Sequence, residues 1–270
     1  MTYSLSAHGA GAHPARELVR DGHLQIDVLI DGEGPAILLL PSSQRDSLDF
    51  DDIAARIAAN GFRVLRPQPR GMGRTTRPAE ALDLNVLGAD VALVISRLGG
   101  SRAIVAGHAF GHFVARVADL NHPRLVRGVV VIAGAARIFP AELSDALDTA
   151  SDVTQPRAAR IAGLQRAFFA PGHDPSAWLD GWHPELREAY RRAGSNPPKA
   201  AWWPVSNSPV LDLQAADDPW RPAVTRNELK DVLGDKVTVR VIEHASHALI
   251  PEQPAAVAEA IVAWARSLPL

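Results

Sequence analysis

Ala103-Ile104-Val105-Ala106-Gly107-His108-Ala109-Phe110-Gly111-His112 is the stretch whose reading decides the fold. Residues 103–106 are apolar without alternation, the pattern of a strand buried on both faces. Residues 112–121 (HFVARVADLN) carry apolar side chains at helical spacing. Only Gly-His-Ala-Phe-Gly separates the two, so the chain must pass from strand to helix in one sharp turn. Glycines flanking such a turn let the helix approach the strand, and the residue between them can be held in a strained backbone conformation.

The alternation extends in both directions. Downstream, a strand is expected over residues 128–132; upstream, a helix over 84–98 stops at Gly99-Gly100, and a helix over 50–60 stops at Asn60-Gly61 before a strand over 62–65. Earlier still, residues 24–30 and 36–40 flank the turn-forming run Asp31-Gly32-Glu33-Gly34-Pro35 and read as a hairpin feeding a central strand. The Ala10-Gly11-Ala12-His13 stretch reads as a frayed end. After residue 134 the periodicity weakens and Trp, Pro and Arg become frequent; strand-helix order returns with strands over 210–213 and 237–242 and a helix over 254–268. The expected architecture is one α/β domain over residues 1–270, with a mostly parallel sheet covered by helices on both faces and a small helical cap inserted at about 135–207.

Bulk properties narrow the partners. A chain of 270 residues that is 47% hydrophobic, with a net charge of -2, is long enough for one well-buried core. That balance gives no electrostatic reason to expect nucleic acid or an anionic membrane, so a small molecule is the expected partner, with a homodimer left open. The sequence has no cysteine, which excludes disulfides, thiolate metal sites and cysteine nucleophiles. Residues 1–20 lack a signal-peptide pattern and no apolar run reaches membrane-spanning length, so a cytoplasmic location is expected.

Two later loops carry groups suited to acid-base chemistry. Residues 211–218 (LDLQAADD) read as a strand ending at adjacent carboxylates, Asp217 and Asp218, and Glu243-His244-Ala245-Ser246-His247-Ala248 places two histidines after the last strand. Together with the Gly107 to Gly111 turn, these features resemble the α/β-hydrolase superfamily over nearly the whole chain. In that fold the turn is the nucleophile elbow, a GxSxG motif between strand and helix. The elbow, the run Arg66-Pro67-Gln68-Pro69-Arg70-Gly71-Met72-Gly73-Arg74 and Phe168-Phe169-Ala170-Pro171-Gly172 are similar to those of a bacterial subgroup of hydrolases, with alanine at the nucleophile position. The resemblance implies that Ala109 occupies the nucleophile position and that His247 is the catalytic histidine. It implies Asp218 as the acid, four residues before Pro222, with Asp217 as the alternative. The oxyanion hole is expected from the backbone N–H of Phe110 and Ser43.

Three positions depart from the superfamily pattern: Pro41-Ser42 replaces the usual His-Gly, Gln68 replaces an Asp, and Ala109 replaces the serine. Ala109 is either native or a replacement of a native serine. The implied activity is hydrolysis of an ester, lactone or related bond in a small hydrophobic molecule, with no cofactor and no metal. Two alternatives stay open, a cofactor-free lyase or dioxygenase using the His-Asp pair as base, and a ligand-binding protein without chemistry.

Other candidates each carry a plainer reading. Ser42 and His112 are candidates for substrate contact, though Ser42 can simply shape its turn and His112 can hydrogen-bond along its own helix. His108 is expected to pack away from the cavity, and Gln68 and Arg70 to support their loop. Phe168, Trp178, Trp202 and Trp203 are expected to line an aromatic pocket, although a small cap must also bury its underside, and most of its aromatic residues serve that end. His173 and His183, with Asp174 and Asp180, match no metal-ligand spacing.

Overall fold

The computed structural model describes residues 14–78 and 82–269; the Ala10 to His13 stretch lies outside them. Eight strands form one sheet in the order β1-β2-β4-β3-β5-β6-β7-β8. They are β1 (Ala15–Asp21), β2 (Leu24–Asp31), β3 (Ala36–Leu40), β4 (Arg63–Pro67), β5 (Ala103–His108), β6 (Val126–Ile132), β7 (Val210–Ala215) and β8 (Val237–Ile242). From β4 to β8 every neighbouring pair is parallel, and β2 runs antiparallel to both β1 and β4.

One expectation is corrected here. The strands over 24–31 and 36–40 do not pair with each other: β2 pairs with β1 and β4, and β4 separates β2 from β3. The turn formers at 31–35 make a crossover that packs on the start of β4, where a Cβ on Gly34 would lie 2.2 Å from the carbonyl oxygen of Gly61. The true hairpin partner, β1, escapes a hydrophobicity reading because it is an edge strand with Val19 as its one buried residue.

Helices cover both faces. α1 (Asp51–Ala59) lies on one face; α2 (Leu84–Leu98) and α3 (Phe110–Asn121) pack together on the other. Gly88 permits the approach of those two, since a Cβ there would stand 3.3 Å from the Ala118 nitrogen. Between β6 and β7 the chain makes α4 (Glu142–Ser151), α5 (Arg157–Ala167), α6 (Arg187–Ala193) and α7 (Lys199–Trp202). α8 (Glu228–Leu233) precedes β8, and α9 (Leu249–Glu252) and α10 (Pro254–Ser267) close the described chain, with α10 against α1.

Side chains from alternate positions of the central strands divide between two cores. Leu38, Val105 and Val129 face α2 and α3, while Ile37, Ile104 and Val130 face α1 and α10. Each such fully buried aliphatic residue contributes about 1.5–3 kcal/mol before entropy is counted. A third cluster joins Leu143, Leu164, Phe168, Trp178 and Trp182 of the inserted segment to Trp220 and Ala248 from loops after β7 and β8. The inserted helices therefore share a core with the loops at the carboxyl edge of the sheet, where ligand sites of parallel α/β sheets lie. No helix among the described residues is long and apolar enough to cross a membrane.

Candidate active site

The backbone itself marks the site. Among the described residues, the non-glycine residues with positive φ are Gln44, Ala109, Ala133 and His244, and they follow β3, β5, β6 and β8 respectively. Strained backbone is thus concentrated at one edge of the sheet. Ala109 has φ 45° and ψ -114° and caps the start of α3. The glycines two residues to either side of it have no room for a side chain. A Cβ on Gly107 would lie 2.2 Å from the backbone of Gly111, and one on Gly111 would lie 2.3 Å from the carbonyl oxygen of Leu40.

Phe110 is the first residue of α3, so its N–H has no carbonyl to bond within the helix. The tight contact of Gly111 with Leu40 and Pro41 brings the loop after β3, with Ser42 and Ser43, against this helix start. Ser42, Ser43, Ala109, Phe110, His112 and His247 line a single cavity of about 130 Å³. Its remaining wall is apolar and includes Phe113, Phe139, Leu147, Phe168 and Trp220. An outer groove of about 380 Å³ shares Ser43, Phe110, Phe113 and Trp220 with it and is bordered by Arg187 of α6 and Asp148 of α4, which form an ion pair.

His247 Nδ1 stands 3.0 Å from Asp218 Oδ2, and both side chains are buried. The second carboxylate oxygen of Asp218 accepts the Trp220 N–H at 2.8 Å, so both oxygens are engaged. Asp217, by contrast, is exposed. Trp220 also packs against the imidazole, tilted by 33° with ring centroids 5.3 Å apart, and Phe168 flanks it at 5.6 Å. The Trp220 Nε1–H donates to the Ala167 carbonyl at 2.7 Å, which ties this ring to the inserted helices. Hydrogen bonding to a buried carboxylate fixes the proton of a neutral imidazole on Nδ1 and leaves Nε2 as the basic atom.

The loop carrying His247 is held by Glu252. One of its carboxylate oxygens accepts the Ser246 N–H and the other the Ala170 N–H, each at 2.6 Å. The Phe168 to Gly172 stretch and the His247 loop thus meet through one side chain. Burial pushes the Glu252 carboxyl up, against the two N–H groups that favour its ionised form. His108 packs behind the site as expected: its Nε2–H donates to the His247 carbonyl at 2.8 Å, and burial, with His247 nearby, drives its pKa down to about 3. Gln68 and Arg70 also support their surroundings, Gln68 by accepting the Ser47 N–H and Arg70 through a bidentate pair with Asp90 at 2.7 Å.

The aromatic candidates divide. Phe168 lines the cavity, whereas Trp178, Trp202 and Trp203 lie outside its wall. Trp178 packs edge-on against His108 and stands, like Trp182, 4.9 Å from the Arg45 guanidinium, so it braces the loop after β3 against the inserted segment. Trp202 packs on Phe113 at 4.8 Å from outside, and the carbonyls of Trp202, Trp203 and Val205 all accept from Nη2 of buried Arg116. Those indoles bury the underside of the helices, which composition cannot distinguish from lining a pocket. Residues missing from the sequence expectation are Trp220, Phe113, Phe139 and Leu147. Trp220 had a signal, since it stands two residues after Asp218; the other three depend on how the inserted helices fold back.

His173 Nε2 lies 3.0 Å from the His244 carbonyl oxygen, and among the described residues no group of three or more His, Asp or Glu could hold a metal ion. The site holds an imidazole paired with a carboxylate and a helix-start N–H beside an apolar cavity. Such an arrangement can remove a proton and stabilise a developing oxyanion.

Comparison with known proteins agrees with this architecture. Over a segment of 128 residues the chain is 28% identical to 2-(acetamidomethylene)succinate hydrolase of Mesorhizobium japonicum, covering 47% of this chain and 46% of that protein. It is 29% identical over 123 residues to epoxide hydrolase A of Mycobacterium tuberculosis, covering 44% of this chain and 38% of that one. The aligned segments therefore span less than half of these relatives. The crystal structure of E-2-(acetamidomethylene)succinate hydrolase superposes with a TM-score of 0.75 at 20% identity, covering 94% of this chain and 100% of that one. An esterase from Exiguobacterium antarcticum gives 0.75 at 18% identity, with 90% and 96% covered. The sequence profile of the alpha/beta hydrolase family matches residues 5–260, and the chain belongs to that family.

Proposed function

We propose that this protein hydrolyses an ester, lactone or related bond in a small apolar or aromatic molecule, using a water activated by the His247 and Asp218 pair. The observation that carries the reading is the 3.0 Å contact of His247 with Asp218 at the wall of an apolar cavity that also contains Ala109. A methyl group in place of a hydroxymethyl leaves room for a water beside the imidazole. His247 Nε2 takes a proton from that water as its oxygen attacks the acyl carbon, and Asp218 stabilises the resulting imidazolium. The backbone N–H groups of Phe110 and Ser43 receive the negative charge on the carbonyl oxygen; loss of one such donor in other enzymes costs about 3–4 kcal/mol. The proton on His247 then passes to the leaving oxygen as the tetrahedral species collapses.

Turnover of a panel of aryl esters, lactones and epoxides tests this, with epoxides included because some relatives are named for them. Hydrolysis in H₂¹⁸O, in a single turnover with enzyme in excess, should place the label in the released acid. Hydrolysis unaffected by His247→Ala would overturn the base role. Sequencing codon 109 of the native gene bears on the same point: a serine codon replaces water attack with attack by the side chain, and leaves the remaining roles unchanged.

A further inference from the structure

A second apolar hollow shares no lining residue with the His247 cavity. Its volume is about 300 Å³, its walls include Ile138, Trp203, Pro204 and Val232, and its charged groups are Arg137 and Lys199. Ile138 and Val232 are exposed, so part of this apolar wall faces solvent. Lys199 opens α7 and is half-buried. Its Nζ stands 4.2 Å from the centroid of the Trp203 ring and donates to the Ala136 carbonyl at 3.3 Å, a long bond that is readily given up. Arg137, next in the chain after Ala136, brings a second cation to the same hollow. An amine desolvated against apolar walls beside another cation is driven toward its neutral, nucleophilic form. Burial accordingly brings the Lys199 pKa down to about 8, against the pull of the Glu228 carboxylate and with Arg137 and Arg221 adding to the fall. The chain has three lysines, and the other two, Lys230 and Lys236, are exposed.

We propose that Lys199 is a nucleophilic amine that captures a small aromatic or apolar aldehyde carrying a carboxylate, which pairs with Arg137. The Nζ lone pair forms a bond to the carbonyl carbon, and the carbonyl oxygen takes a proton from the nitrogen to give a carbinolamine. The C–O bond then breaks, the oxygen leaves as water with the second nitrogen proton, and an imine remains; no oxidant or reductant is consumed. Trp203 and Ile138 supply the apolar surface for the body of the aldehyde, and a guanidinium matches the planar geometry of a carboxylate. This capture goes beyond the hydrolysis reading and stands or falls separately from it.

The test treats the full chain with p-carboxybenzaldehyde and cyanoborohydride, which reduces the imine to a stable secondary amine, and follows each lysine by peptide mass spectrometry. At neutral pH a pKa of about 8 leaves on the order of a hundredfold more free amine than an ordinary lysine has, part of which its lower basicity takes back. Lys199 should therefore be labelled at least about tenfold faster than Lys230 or Lys236, and urea should abolish the difference. Arylation by dinitrofluorobenzene, whose rate follows the free amine, should be half-maximal at Lys199 near pH 8. Lys199 should also favour p-carboxybenzaldehyde over p-tolualdehyde at least about fivefold more than Lys230 does, and Arg137→Gln should reduce that excess to within about twofold. Equal labelling of the three lysines, an arylation midpoint near the ordinary value of about 10.4, or a carboxylate preference that survives Arg137→Gln would each overturn the inference. Selective capture at Lys199 in a protein that hydrolyses none of the ester panel would leave it standing and sink the hydrolysis proposal.

Discussion

Replacing Asp218 by Asn should silence the base while leaving the fold in place, and the hydrogen bonds around that side chain say why. Oδ1 of Asp218 accepts the Trp220 N–H at 2.8 Å, and Oδ2 faces His247 Nδ1 at 3.0 Å. An asparagine has one oxygen and one NH₂. The Trp220 N–H can only donate, so the amide oxygen must remain there and the NH₂ must face the imidazole. His247 Nδ1 then becomes an acceptor and the ring proton moves to Nε2, the atom that has to take a proton from the attacking water. In a serine protease the equivalent change lowers turnover by about 10⁴, and a loss of the same order, about 5 kcal/mol in the barrier, is expected here. The substitution is isosteric and keeps both hydrogen bonds, so the melting temperature should change little. The assay is steady-state hydrolysis of an aryl ester, with the imidazole tautomer read from ¹⁵N spectra. Turnover within threefold of the native rate, or a variant whose His247 Nε2 stays unprotonated, would refute the reasoning.

Other outcomes follow from the same geometry. Ala109→Ser places a hydroxyl on a backbone already held at φ 45°; aryl ester turnover should rise at least about a hundredfold, toward the ~10⁶ that a serine adds to a complete triad, with a burst of phenol in stopped-flow traces whose absence would count against the elbow assignment. Glu252→Gln presents an amide N–H to one of the two backbone donors that the carboxylate now serves, costing about 1–3 kcal/mol, seen as a lower melting temperature. His108 is held at about 3 against an ordinary 6.5, so between those pH values the unfolded chain binds a proton that the folded chain refuses. His108 should therefore contribute a fall of about 1.4 kcal/mol for each pH unit of acidification in that window, added to that of His112, which burial also holds well below its ordinary pKa, and urea titrations of His108→Gln, which keeps a donor for the His247 carbonyl, should show a shallower slope. Gly107→Ala would force a methyl group to within 2.2 Å of the backbone of Gly111; a loss above about 4 kcal/mol is expected in denaturant unfolding, and an unchanged midpoint would contradict the packing described.

Elements whose signal is local were legible in the chain. The helix expected over 84–98 and the strand over 237–242 occur at those bounds, because burial on one helix face, or a short apolar run closed by turn formers, leaves its period in the sequence. Gly107 was legible too, as its contact with Gly111, four residues on, needs no knowledge of the rest of the molecule, whereas the contact that demands glycine at 111, with Leu40, comes from the assembled sheet. Strand pairing was not. The adjacency of β2 and β3 in sequence suggested a hairpin, yet β4, which follows a whole helix later, lies between them. Pairing depends on which strand completes the sheet, a property of the assembled fold.

The site divides in the same way. The sequence by itself determined which kinds of groups are present and in what order: a strained elbow carrying alanine, a carboxylate loop and a histidine loop, each at the end of a strand. Tertiary structure alone decided the rest. It brought Asp218, which the resemblance favoured over Asp217 without placing it, against His247, put Trp220 across the imidazole, and turned Trp178, Trp202 and Trp203 into packing. A carboxylate is chosen by distance and an aromatic ring by the side it faces; both are fixed when the loops after β7 and β8 close on the inserted helices, and neither has a period or a spacing to read.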